Sequence, residues 1–156
     1  MAVTMADITK LRKMTGAGMM DCKKALEEAN NDFEGAIEII RKRGQAIAAK
    51  REDREASEGC VLATCKGDYA AIVALKCETD FVAQNKDFVA LTQKILDAAV
   101  ENKPADLEAL KAVTIEGRTI AELVTDQSGI TGEKMELGYF DSLTAASPIF
   151  YIHPAN

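Results

Sequence analysis

Along the first fifty positions, apolar residues recur at intervals of three and four. Ile8 and Leu11 share a face with Val3 and Met14 at its edges, and Met19, Cys22, Ala25, Leu26 and Ala29 make a second stripe. Phe33, Ala36, Ile37 and Ile40 make a third. This is the helical period, so three short helices are expected. Their ends carry suitable chemistry. Thr4 precedes the first helix with Asp7 three residues on, where the helix dipole favours an acid. Gly16-Ala17-Gly18 supplies a tight corner, Asn30-Asn31 breaks the second stripe, and Asp32 is placed to cap the third helix. Gly44 is its expected stop. A bundle of about forty residues has a thin core and is expected to be marginally stable by itself.

From Gly59 the period changes to alternation. Gly59–Cys65 and Tyr69–Cys77 flank Lys66-Gly67-Asp68, a turn of hairpin length. In the second run Tyr69, Ala71, Val73, Leu75 and Cys77 fall on one face, and Ala70, Ile72 and Ala74 on the other. Apolar residues on both faces predict a strand covered on both sides. The hairpin leads into Glu78-Thr79-Asp80-Phe81-Val82. Helical spacing then returns in Phe88, Leu91, Ile95, Ala98 and Ala99, with Asp87 placed as a cap. Pro104 opens a shorter helix through Leu107 and Leu110, and Thr119 starts another with Ile120, Leu123 and Val124 facing inward. Ser128–Gly132 reads as a loop, Met135–Thr144 as a third strand, and Ile149–Ile152 as the start of a fourth. His153-Pro154-Ala155-Asn156 is a turn directly after an apolar strand, an ending that reads as a truncation. The expected fold class is α+β: a three-helix bundle over residues 1–52, then an antiparallel three- to four-stranded sheet packed with helices over residues 56–156.

The chain has 156 residues, 19 basic against 25 acidic, for a net charge of −6, the profile of a soluble globular protein. No apolar run approaches the ~20 residues that cross a bilayer. Ala2, Val3 and Met5 are too few for the apolar core of a signal peptide, so no membrane association is expected and the expected address is the cytoplasm. His153 is the one histidine, which excludes HExxH and His-rich metal sites. Cys22, Cys60, Cys65 and Cys77 contain no CxxC pair and read as small, partly buried hydrophobes. No metal site and no cofactor are expected.

Residues 41–54, RKRGQAIAAKREDR, set six basic residues against Glu52 and Asp53. The stretch lacks an aromatic residue for base stacking and the chain is acidic overall, so it reads as a solvated helical connector rather than a nucleic-acid contact. Gly16-Ala17-Gly18 is no phosphate loop, because Gly-Lys-Ser/Thr does not follow and no strand precedes. Function is expected to be binding, without bond chemistry. Taken singly, Thr79 or Asp80 is a helix cap, Phe81 a core residue and Arg12 a solvated helix residue. Met19 and Met20 are adjacent, so one is expected to face inward and the other outward.

Two stretches carry more when taken together. Thr15-Gly16-Ala17-Gly18-Met19-Met20-Asp21-Cys22-Lys23-Lys24-Ala25-Leu26 joins two helices, and Thr79-Asp80-Phe81-Val82 leaves a hairpin. In that order, with Leu11-Arg12 before and the Gly59 hairpin between, they closely resemble the bacterial elongation factor Ts family over essentially the whole chain. The resemblance implies a guanine nucleotide exchange factor that binds elongation factor Tu, GDP-bound or nucleotide-free, and promotes GDP release during translation. It implies a ubiquitin-associated-like module over residues 1–52 and a first, dimerisation-type core subdomain from residue 56, with a second subdomain missing. Thr79, Asp80, Phe81 and Val82 match the segment that dislodges the partner's magnesium; Arg12, Met19 and Met20 match further partner contacts, as does His153. Asp80 has two readings, a cap that holds Phe81 in place or a direct contact with the partner; it is not read as a magnesium ligand. The alternative is a protein-interaction module without exchange activity, and a thiol enzyme built on Cys77 or Cys22 is a third class.

Overall fold

A reciprocal pair of hydrogen bonds starts the chain's first helix, α1 (Met5–Thr15). Thr4 Oγ1 accepts the Asp7 N–H and Asp7 Oδ2 accepts the Thr4 N–H, each at 3.2 Å. The helix ends on Gly16 at φ 74°, a left-handed conformation that lets its N–H reach the Arg12 carbonyl at 2.7 Å. α2 (Met19–Glu28) ends at Asn30 and Asn31, both left-handed, and Asn31 also donates to Asp7 at 3.4 Å. Asp32 caps α3 (Phe33–Lys50) by accepting the Gly35 N–H. Ile8, Leu11, Cys22, Ala25, Leu26 and Ala36 are buried together between the three helices. The computed structural model describes residues 2–145, and these fall into two compact units: residues 2–52 with 125–132, and residues 53–124 with 133–145.

The first unit corrects two expectations. Gly44 does not stop α3, which runs on to Lys50, so most of the basic stretch is helix. Nor is Ser128–Gly132 a loop, because α7 (Ile120–Thr131) continues to Thr131 and buries Ser128 to 2% exposure. The two stretches meet at these positions. A Cβ on Gly129 would run into the Gly44 Cα, so the two glycines let backbone approach backbone. Glycine costs a helix interior about 1 kcal/mol. Here close packing offsets that cost, and a residue that reads as punctuation serves as a contact.

The second unit is built on a hairpin. β1 (Glu58–Lys66) pairs antiparallel with β2 (Tyr69–Cys77), with Lys66 opposite Tyr69, so Gly67-Asp68 is a two-residue turn. α4 (Asp80–Ala83) is a single turn, and α5 (Lys86–Asn102) follows. The α5 cap is Asn85 rather than Asp87: Asn85 Oδ1 accepts the Asp87 N–H at 2.8 Å and the Phe88 N–H at 3.4 Å. Asp106, rather than Pro104, starts α6 (Leu107–Ala112). A small hairpin of β3 (Thr114–Ile115) and β4 (Arg118–Thr119) comes next, unforeseen in the sequence. Thr119 and Glu122 then form a second reciprocal cap, at the start of α7. β5 (Glu136–Thr144) joins the free side of β2, giving the antiparallel order β1-β2-β5.

Val73, Leu75 and Cys77 of β2 are buried with Phe88, Ile95 and Leu96 of α5, and this is the core of the second unit. The other face of the sheet differs from expectation. Ala70 is buried there, but Ile72 and Ala74 are only half-buried, and Val61, Tyr139 and Leu143 are exposed. The central strand is covered fully on one side only. The chain is α+β, with a three-stranded antiparallel sheet among the described residues. The expected strand at Ile149–Ile152 and the turn at His153 lie outside those residues.

Candidate functional site

Thr79 lies one residue beyond Glu78, past the end of β2, in extended conformation, and caps α4. Its Oγ1 accepts the Val82 N–H at 3.4 Å and donates to Glu133 Oε2 at 2.6 Å. Glu133 Oε1 accepts the backbone N–H groups of Glu78 at 3.1 Å and Thr79 at 2.9 Å. Glu78 returns the contact, its Oε1 accepting the Lys134 N–H at 2.7 Å. Beneath the turn, the Cys77 thiol donates to the Thr79 carbonyl at 3.2 Å. Val82 packs against the core, whereas Phe81 is 85% exposed and so is no core residue. Asp80 is the first residue of α4 and is exposed. The cap is therefore Thr79. Glu133 was not foreseen: it is 54 residues from Thr79, and no pattern in the chain marks it.

Burial, and secondarily the charge of Glu133, pushes the Cys77 thiol from the ordinary 9.0 up to about 11. Burial also raises Cys22 and Cys60. These thiols stay protonated near neutral pH and are poor nucleophiles. Cys65 departs from the expected partial burial and is exposed.

The second corner joins α1 to α2. Arg12 is exposed near the end of α1, and Met19 and Met20 open α2 at 42% and 62% exposure. The expectation that one of the two methionines faces inward fails. The buried stripe begins only at Cys22, one turn further on, so both thioethers project from the helix start. Gly18 caps α2 without a side-chain hydrogen bond. Met5 and Met14 of α1 are also exposed and line a shallow groove with Lys10 and Lys13. His153 lies outside the described residues. Among those residues no group of three or more His, Cys, Asp and Glu is placed to hold a metal ion, and no helix is long and apolar enough to cross a membrane.

What these corners can do is bury apolar surface against another molecule. An α+β chain that collects exposed methionines and a phenyl ring at helix starts has the make-up of a protein-binding module. The chain belongs to the family described as Elongation factor TS, whose model matches residues 78–156, from the segment that presents Phe81 to the end. Similar relatives bear the name Elongation factor Ts. One from Porphyromonas gingivalis is 66% identical over 157 residues, covering 100% of this chain and 57% of its own length. One from Parabacteroides distasonis is 68% identical over 153 residues, covering 98% of this chain and 46% of its own. One from Phocaeicola vulgatus is 65% identical, covering 100% and 47%. The chain thus spans about half the length of the curated relatives it matches.

Proposed function

We propose that this chain is a guanine nucleotide exchange factor that binds elongation factor Tu, GDP-bound or nucleotide-free, and promotes GDP release during translation in the cytoplasm. The observation that carries the reading is the Phe81 ring, 85% exposed on a capped and hydrogen-bonded turn. A GTPase holds GDP tightly because magnesium and a phosphate-cradling loop neutralise the diphosphate. An exchange factor makes no bonds. It binds the nucleotide-free conformation better than the loaded one, and by linkage the nucleotide is weakened equally. Burying one phenyl ring in a partner's groove contributes ~1.5–3 kcal/mol, about one to two factors of ten in nucleotide affinity. Phe81 is the wedge that shifts the partner's magnesium-holding elements, Thr79 and Val82 anchor it, and Asp80 meets the partner beside it. Arg12, Met19, Met20 and His153 provide further partner contacts. The same proposal takes residues 1–52 as the ubiquitin-associated-like module and residues 56–156 as the first core subdomain.

The test is release of a fluorescent GDP from elongation factor Tu with and without the chain. Faster release that falls strongly in Phe81→Ala is the expected result. Release at the wild-type rate in that variant contradicts the wedge. The exposed Met19 and Met20 favour a second reading, a docking module without exchange. Under that reading the chain binds elongation factor Tu but leaves GDP release unchanged.

A further inference from the structure

One turn of helix cannot hold itself in place. A helical nucleus of this length is unfavourable in water, and the exposed Phe81 ring adds no burial to hold it. Within α4 only Val82 and Ala83 pack against the core, so its direction rests largely on the residues before it. There both oxygens of Glu133 are spent on the two residues that lead into the helix. Two consecutive backbone N–H groups and one hydroxyl donate to a single carboxylate, the charge-assisted arrangement that is stronger than neutral hydrogen bonds. The hydroxyl is the critical one. By donating to Glu133, Thr79 Oγ1 is held in the rotamer whose lone pair meets the Val82 N–H, so the carboxylate sets the cap that starts α4. Glu78 closes the loop by accepting from Lys134, so the segments on either side of the contact hold one another.

We infer that Glu133 is a positioning residue for exchange: it stiffens the Thr79–Ala83 turn so that Phe81 displaces the partner's groups instead of yielding to them. The inference rests on the exchange reading above. A wedge on a loose turn still finds its groove, but it relaxes under load. Loss of Glu133 therefore lowers the release rate at saturation more than it weakens binding.

The experiment compares the whole chain with Glu133→Ala, Glu133→Gln and Phe81→Ala, measuring GDP release from elongation factor Tu across a range of chain concentrations. Amide hydrogen exchange is followed at residues 79–83. With Glu133→Ala the saturating acceleration falls by about tenfold, the loss expected on removing hydrogen bonds to a charged group, while the half-saturating concentration moves much less. The amides at 79–83 lose protection while those of β2 and α5 keep theirs. Glu133→Gln keeps a carbonyl for the two backbone N–H groups but presents an NH2 that cannot accept the Thr79 hydroxyl, so it restores the rate only in part. A wild-type rate in Glu133→Ala beside an impaired Phe81→Ala overturns the inference and leaves the exchange reading standing. Wild-type rates in both variants overturn the two together. Equal impairment of both Glu133 variants, with protection lost throughout the second unit, makes Glu133 a residue of general stability and also overturns the inference.

Discussion

The two corners present similar side chains by different means. At the α1–α2 corner Met19 and Met20 project from a helix start with no side-chain cap: Gly16 is left-handed, and Gly18 caps without a side-chain hydrogen bond. The side-chain hydrogen bonds there are local, Thr15 Oγ1 accepting the Ala17 N–H and the Cys22 thiol donating to the Ala17 carbonyl. What fixes that corner is the buried stripe that begins at Cys22. At the β2–α4 corner Phe81 stands on a four-residue helix too short to bury a stripe. There Val82 and Ala83 give some apolar packing, and the rest of the fixing is polar and long-range, through Thr79 and Glu133. An adaptable thioether tolerates an apolar, forgiving support, whereas a wedge needs a directional one. On the exchange reading proposed above, the first corner serves affinity and the second serves work on the partner.

The largest expected effect separates these roles. Phe81→Ala lowers accelerated GDP release by about tenfold or more, yet, with its ring in solvent, shifts folding stability by less than about 0.5 kcal/mol in denaturant unfolding. Leu26→Ala acts in the opposite way. Leu26 is wholly buried, so its truncation costs about 2–5 kcal/mol, loosens the bundle, and raises the half-saturating concentration before it touches the saturating rate. Gly129→Ala drives a methyl into the Gly44 backbone and costs about 1–3 kcal/mol by the same unfolding measurement. Met20→Ala, with an exposed side chain, leaves stability unchanged and weakens partner binding by about fivefold in a titration.

Two titrations give the smallest effects. Folding holds Cys77 protonated, so its contribution to stability is whole below pH 9 and is lost as pH rises towards about 11; Cys77→Ala flattens that part of the stability curve. The hydroxyl and backbone N–H of Thr4 hold Asp7 below its ordinary 3.8, so the α1 cap contributes above that value and fades as pH falls beneath it. Asp7→Asn removes that acid-side slope in a circular-dichroism titration.

These measurements also sort what the chain shows of itself from what only folding reveals. Thr4 and Asp7, Asn30-Asn31, Asp32 and Thr119 act within four residues, so their caps and breaks are legible as local chemistry. The stripes and alternations that place α1, α2, β1, β2, α5 and β5 are equally local, and they bring out the α+β class. Gly44 and Gly129 misled because each reads as a helix breaker until the other is placed against it. β3 and β4 are two residues each, shorter than any period, and their turn puts Glu116 at φ 53°, where glutamate gives no signal. In the candidate site, Thr79–Val82 and Met19–Met20 are continuous and could be singled out. Glu133 could not, since its partners are set by how β5 is reached after α7 and not by anything beside it in the chain.

The most direct test of the wedge is the magnesium dependence of release. Labelled GDP is chased from elongation factor Tu at saturating wild-type chain or Phe81→Ala, in millimolar magnesium and again with the metal chelated. If the ring works by displacing magnesium, the wild-type advantage is large with the metal present and collapses once it is removed. A gap between the two chains that stays the same under both conditions contradicts the account.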